Sequence, residues 1–278
     1  MTQSDGVGVT EVGSKLEDLR AWFAPLSRVV VAYSGGADST LVAAVAAAAI
    51  GERALAVTAI SPSLPPGELS EARQVAHLIG VRHRLVRTRE TGRAEYLANG
   101  PDRCYHCRID VYGVLAGIAE EAGGAVVVSG TNVDDLRDHR PGLLAAEERG
   151  VRHPLAETGF SKADVREAGC MLGLPTWNKP SSACLSSRIP YGVRITVDDL
   201  RRIGRAERLL KELGFLQCRV RVHNEIARIE VELEDIPRLA EGPIRDQILE
   251  GLRGLGFRYV ALDLEGYRSG SMNPEGAP

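Results

Sequence analysis

The chain alternates between short runs rich in β-branched residues and longer stretches whose apolar positions recur at helical spacing. Residues 28–33 (RVVVAY) form a compact apolar run of the kind buried in a parallel sheet. Residues 54–60 (ALAVTAI) read the same way, 83–87 predict a short strand, and 125–129 (AVVVS) predict another. Between them, 15–24 fit a short amphipathic helix, 38–50 an Ala-rich helix, 67–80 a helix entered through Pro62, Pro65 and Pro66, and 107–122 a further helix led into by a loop. Strands alternating with helices predict a doubly wound α/β sheet. Residues 1–14 read as a frayed tail and 271–278 as a loose one.

The pattern changes after residue 195. Residues 197–213 predict a charged amphipathic helix, 217–223 and 226–233 two strands, 235–253 a largely helical stretch and 257–264 a last strand. The expected division is a large domain over 15–192 and a smaller α+β domain over 196–270, with the boundary in the Ile189–Thr196 stretch.

Composition narrows the partners. The 278 residues are 44% hydrophobic and 26% charged, as in ordinary globular proteins. The net charge of -3 lacks the basicity that nucleic acid favours. The chain opens with no basic-then-apolar leader, and its most apolar run, Thr40 to Ile50, is too short to span a bilayer. A cytoplasmic protein with no nucleic-acid or membrane partner is expected. Its five cysteines (Cys104, Cys107, Cys170, Cys184 and Cys218) are then expected as thiols or metal ligands, not disulfides.

One turn carries phosphate chemistry. Ser34-Gly35-Gly36-Ala37-Asp38-Ser39 lies between a buried strand and a helix. Its glycines let the backbone turn tightly and present N–H groups, and the helix offers its positive end to the same anion. Ser34 and Ser39 add hydroxyl donors. Asp38 would repel phosphate unless a divalent cation lay between them, which implies Mg2+. No Gly-Lys-Ser/Thr follows, so this is not a Walker A loop.

Two cysteine segments stand out. In NKPSSACLSSRIPYG, residues 178–192, Cys184 sits in a small, polar stretch where Lys179 and Arg188 favour a thiolate. In Arg103-Cys104-Tyr105-His106-Cys107 the CxxC pair admits a redox role, half a zinc site completed by His106 or His139, or part of an iron–sulfur site. Cys170 and Cys218 read as buried small hydrophobes. Arg219 and Arg221 alternate on one strand and so share a face, where planar guanidinium groups suit a phosphate.

SGGADS after the first strand, with Ser129-Gly130-Thr131-Asn132 after a later one and Ser161 to Arg166 ahead of Leu172 to Pro175, resembles the PP-loop ATP pyrophosphatases. That superfamily cleaves ATP between its α- and β-phosphates and forms an adenylate. Ser161 and Asp164 also read as a capping-box pair. With PDRCYHC, GTNVDD, KPSSACLSSRIPYG and the closing DLEGYRSGS, the chain from about 15 to 273 resembles the LarE family of ATP-dependent sulfur transferases. The resemblance implies a PP-loop domain followed by a PurE-like one, and adenylation of a carboxylate of pyridinium-3,5-biscarboxylic acid mononucleotide. Thiocarboxylate formation follows, in building the nickel-pincer nucleotide cofactor of lactate racemase.

The same resemblance implies roles for single residues. Ser34, Gly35, Gly36, Ser39, Ser61, Gly130 and Thr131 are expected at ATP, Asp38 at Mg2+, and Lys179 and Cys184 in catalysis. Arg188 is expected among the cofactor-binding residues, Arg219 and Arg221 at the mononucleotide phosphate, and Glu207 and Glu230 match acidic positions able to hold a divalent metal. Cys104, Cys107 and Cys184 match the form that holds a 4Fe–4S cluster, as opposed to the form in which the cysteine at the position of Cys184 gives up its own sulfur. The expected partners are the mononucleotide, sulfide or another sulfur donor, and further copies of the chain in a homo-oligomer, with a hexamer suggested. The rivals are a PP-loop tRNA thiolation enzyme, an ammonia-using ligase and a nucleotide-binding regulator without turnover.

Overall fold

A computed structural model describes residues 11–137 and 141–268. In chain order the elements are α1 (Glu11–Phe23), β1 (Val29–Ala32), α2 (Ala37–Ile50), β2 (Ala54–Ile60), α3 (Glu68–Leu78), β3 (Arg82–Arg87), α4 (Ala94–Leu97), α5 (Arg103–Glu121) and β4 (Val126–Val128). There follow α6 (Pro141–Glu148), α7 (Pro154–Glu157), α8 (Lys162–Met171), α9 (Val197–Glu212), β5 (Cys218–His223), β6 (Ile226–Val231), α10 (Ile236–Leu239), α11 (Gly242–Gly254) and β7 (Tyr259–Leu262). The chain forms two compact units. One holds residues up to Ile60, Glu68–Thr88 and Cys107–Ser181, and the other holds Ser61–Gly67, Arg89–His106 and everything from Ser182.

The first unit is built on a four-stranded parallel sheet in the order β3-β2-β1-β4. Val29, Val30 and Val31 of β1 are fully buried, as a central strand covered on both faces requires. The Ala-rich α2 packs its small side chains into the same core, with Leu41, Val42 and Val45 beside Leu16, Leu19 and Phe23 of α1. The order runs outward from β1 in both directions, so β1 and β4 flank a topological switch point. Ligands of open α/β sheets bind at the strand C-termini there, and the turns after these two strands are Ser34–Ser39 and Ser129–Asn132.

The second unit carries a three-stranded sheet in the order β5-β6-β7, with β5 and β6 antiparallel and β6 and β7 parallel. Helix α9 buries Leu200, Ile203, Ala206 and Leu210, the apolar stripe its sequence predicts. The segments Arg89–His106 and Ser182 onward, which carry Cys104 and Cys184, belong to this unit as well.

Three expectations need correction. The chain is helical from Glu11, so the frayed tail does not reach residue 14. The CxxC pair lies inside the first turns of α5, which starts at Arg103 instead of 107, because no proline or glycine interrupts 103–107. The 235–253 stretch is largely helical as expected, divided into α10 and α11 because the proline in the first turn of α11 cannot continue a preceding helix. Cys170 is exposed on α8, whereas Cys218 is buried as expected. His139 and residues 269–278 lie outside the described residues. Among the described residues no helix is long and apolar enough to cross a membrane.

Candidate active site

The phosphate turn is fixed by close packing. Gly35 has φ +76°, and a Cβ there would lie 2.8 Å from Cβ of Ala72, so the position requires glycine twice over. Ser34 and Ser39 join their hydroxyls at 3.1 Å, and the Ser34 N–H donates to Ser39 Oγ at 3.2 Å. Gly36 caps α2 and brings no side chain to bond the helix's first-turn N–H groups. From the other side of the switch point Gly130 closes on this turn. A Cβ on Gly130 would stand 2.8 Å from the Ser39 nitrogen and 2.9 Å from the Asp38 carbonyl carbon.

Asp38 has two partners that sequence reasoning did not name. Asn132 Nδ2 donates to Oδ1 at 3.0 Å, and the Lys162 ammonium donates to Oδ2. Asn132 is itself held, its Oδ1 accepting from the N–H groups of Asp134 and Asp135. Lys162 is the first residue of α8, whose start is fixed by the expected capping box of Ser161 and Asp164. Both residues lay within quoted motifs, but nothing in their spacing tied them to Asp38. Beside them Ser129 Oγ contacts Thr131 Oγ1 at 2.9 Å and His153 Nδ1 at 2.8 Å.

Lys179 reaches the turn too. Its ammonium donates to Glu68 at 2.8 Å, pairs with Glu71 at 2.9 Å and stands 3.5 Å from the Gly35 carbonyl oxygen. Burial pulls this ammonium's pKa down, but Glu68 and Glu71 more than restore it, so Lys179 is held charged. The first unit thus carries Ser34, Gly35, Gly36, Asp38, Ser39, Gly130, Thr131 and Lys179, with Gly130 and Lys179 set against the Ser34–Ser39 turn. Ser61 belongs to the second unit, where its hydroxyl bonds that of Ser63 at 2.7 Å.

In the second unit Arg188 is the spine of the Cys184 loop. Its guanidinium is 1% exposed, grips Glu207 at 2.8 and 3.0 Å, and donates to the carbonyls of Ala183 and Cys184 and to Ser187 Oγ. Cys184 itself is exposed at the head of a 3-10 turn. The cation facing the thiols is Arg103, which sequence reasoning missed although it directly precedes Cys104. Arg103 is 5% exposed, donates to Asn99 Oδ1 at 2.6 Å and to the Ser186 carbonyl at 3.2 Å, and lies over the Tyr191 ring. Burial lowers its pKa, and the sulfurs of Cys184 and Cys104 outweigh that and raise it. Asn99 binds the carbonyls of Ile189, Pro190 and Val193, so the Cys104 and Cys184 segments are laced together.

Arg219, Arg221 and Glu230 of the small sheet are buried, not solvated. Arg221 grips Glu230 with two bonds of 2.9 Å and donates to the Ser187 carbonyl at 2.7 Å, while Arg228 also pairs with Glu230. Glu207 and Glu230 therefore act as ion-pair acceptors for arginines, a different use from the divalent-cation ligation expected of them. Arg219 bonds the Cys218 carbonyl and stacks on Tyr267, and it has no carboxylate partner within ion-pair distance among the described residues. Burial and the nearby Arg188 depress its pKa. Among the described residues no three His, Cys, Asp or Glu side chains form a group able to hold a metal ion.

Comparison with known proteins adds sequence-wide likeness. Residues 20–97 match the family model for NAD synthase. The chain is 40% identical over 266 residues to the pyridinium-3,5-bisthiocarboxylic acid mononucleotide synthase of Lactiplantibacillus plantarum, covering 94% of this chain and 95% of that one. It is 49% identical to an uncharacterized protein of Synechocystis, covering 94% of this chain and 97% of that one. A tRNA-specific 2-thiouridylase of Azorhizobium caulinodans is 29% identical over 56% of this chain and 50% of its own length.

Proposed function

The chain belongs to the LarE family of ATP-dependent sulfur transferases, and from that premise we propose that its substrate is pyridinium-3,5-biscarboxylic acid mononucleotide. The observation that carries the reading is the 40% identity over 94% of the chain to a synthase named for the bisthiocarboxylic product. The phosphate turn at the sheet's switch point supports the ATP half of it. The thiouridylase alternative is weaker, since that likeness spans about half of either chain and the net charge is -3.

In this reading ATP lays its phosphates on the N–H groups of the Ser34–Ser39 turn, with Lys179 and Lys162 as flanking cations. Asp38 is the carboxylate that would hold Mg2+, which would neutralise phosphate charge there. A substrate carboxylate oxygen attacks the α-phosphorus and pyrophosphate leaves, giving acyl-AMP. A sulfur anion then attacks the acyl carbon, the C–O bond to AMP breaks, and thiocarboxylate and AMP result. Adenylation is needed because oxide is a very poor leaving group and AMP a good one. Arg219, with its charge not bonded to a carboxylate, suits the mononucleotide phosphate better than Arg221.

For the sulfur step the reading is the cluster form. The donors match in kind: Cys104 and Cys107 stand one turn apart on α5, and Cys104 and Cys184 are exposed. Cys104, Cys107 and Cys184 are the residues that would hold a 4Fe–4S cluster, which would supply the sulfur step with exogenous sulfide. Arg103 keeps a positive charge beside Cys104 and Cys184, and Arg188 keeps the loop's carbonyls turned inward. A cytoplasmic homo-oligomer completes the reading.

The test is anaerobic purification, iron and sulfide analysis, and intact-protein mass after turnover with added sulfide. Bound iron, unchanged mass and several products per subunit are expected. Loss of one sulfur from Cys184 with one product per subunit and no iron overturns the cluster form and leaves Cys184 as the sacrificial donor.

A further inference from the structure

Lys179 is saturated. An ammonium has three N–H groups, and this one meets three acceptors: Glu68 at 2.8 Å, Glu71 at 2.9 Å and the Gly35 carbonyl at 3.5 Å. A phosphate arriving at the turn can be grasped by Lys179 only when one acceptor lets go. The Gly35 carbonyl is part of the turn and cannot leave without undoing it. The two carboxylates differ in what leaving costs. The Glu68 side chain is 14% exposed, so releasing it strands a carboxylate with little water around it. The Glu71 side chain is 55% exposed and borders an open cleft of about 420 Å3 that also takes in Gln74, Thr176 and Asn178. Water replaces its ion pair at small cost.

We propose that Glu71 is the exchangeable partner that Lys179 gives up to an ATP phosphate, while Glu68 is a positioning residue that keeps the ammonium at the turn. Both glutamates stand in the first turn of α3, three residues apart and on one face, so they address Lys179 from neighbouring places on one rigid element. In the resting enzyme Glu71 competes with the nucleotide for the same cation. The proposal rests on the ATP reading of this turn.

The two glutamates then have opposite effects, which a shared structural role does not produce. With the full-length chain, binding of α,β-methylene-ATP is measured by calorimetry, and kcat and KM for ATP from AMP release. Glu71→Gln removes the competitor, so the analogue binds about two- to fivefold more tightly and KM falls alike with kcat held, the scale of one exposed ion pair. Glu68→Gln lets the ammonium drift, so KM rises and kcat falls. In Lys179→Met the Glu71→Gln gain disappears. Because Glu71 is half exposed, its variant is readable even if Glu68→Gln folds poorly. Weaker or unchanged analogue binding in Glu71→Gln, in a wild-type chain that makes AMP, overturns the exchange while sparing the ATP reading. No AMP and no analogue binding in the wild type removes the ATP reading, and the exchange falls with it.

Discussion

Lys162 sets its ammonium on one carboxylate oxygen of Asp38 while Asn132 holds the other at 3.0 Å. The carboxylate at the phosphate turn is thus oriented by elements from both sides of the switch point, the loop after β4 and the start of α8. This orientation explains how an acidic residue is tolerated at an anion site. Asp38→Ala is expected to remove turnover with the fold intact, since Asp38 is part-buried and its partner Lys162 reaches solvent. Lys162→Ala is expected to lower kcat/KM for ATP roughly 10- to 100-fold, the loss of one charge-assisted hydrogen bond. Steady-state kinetics with circular dichroism as the folding control checks both. Full activity in Lys162→Ala removes this lysine from the site.

The buried arginines of the small sheet separate into two classes. Arg221→Ala removes the two-bond partner of Glu230, itself 0% exposed, and is expected to cost about 3–5 kcal/mol of stability. Arg219→Ala breaks no carboxylate pair and is expected to weaken mononucleotide binding with a much smaller stability loss. Chemical denaturation paired with calorimetry distinguishes them. The account of the small sheet fails if Arg221→Ala is the stable variant and Arg219→Ala the unfolded one.

Thiol chemistry is graded by burial. Desolvation, reinforced by Glu207, pushes the Cys218 thiol up to about 12, so at pH 8 it carries almost no thiolate. Brief alkylation of the native, metal-free chain followed by peptide mass analysis is expected to label exposed Cys104, Cys170 and Cys184 and to spare Cys218. Labelling of Cys218 at rates like the others contradicts its placement under α9.

Two histidines predict the acid side of the stability profile. Burial lowers the pKa of His153, against Glu157 and Asp135, which raise it, and with Arg108, which lowers it further. Burial and Arg73 lower that of His83, whose Nε2 lies 2.8 Å from the Thr58 hydroxyl. With the folded values depressed, the unfolded chain binds more protons in this range, and stability present above about pH 6.5 is lost as pH falls toward the folded values. His153→Gln is expected to flatten that slope in thermal melts between about pH 7 and 5. A slope unchanged in both His153→Gln and His83→Gln contradicts it.

Much of this was legible in the sequence, for reasons particular to each element. β1 and β2 were readable because valine- and alanine-rich runs bounded by Gly and Pro have few other stable uses. The turn was readable because Gly35 and Gly36 stand between such a strand and an apolar helix. The start of α5 was not, because the polar run from Arg103 to Cys107 has no hydrophobic period to announce it. Arg188, Arg221, Glu207 and Glu230 take partners that the sequence does not announce. Their pairing joins a loop, a helix and two strands, and local spacing carries no trace of such contacts. Asn132, Lys162 and Arg103 were hidden for the same reason, since their partners lie 94, 124 and 83 positions away in the chain.

The central claim is that a substrate carboxylate is adenylated before sulfur enters. It is tested most directly by running the reaction with pyridinium-3,5-biscarboxylic acid mononucleotide labelled with 18O in its carboxylates and weighing the nucleotide product by mass spectrometry. The account predicts AMP that carries one 18O, formed together with pyrophosphate and thiocarboxylate. Unlabelled AMP, or ADP and phosphate in its place, contradicts it.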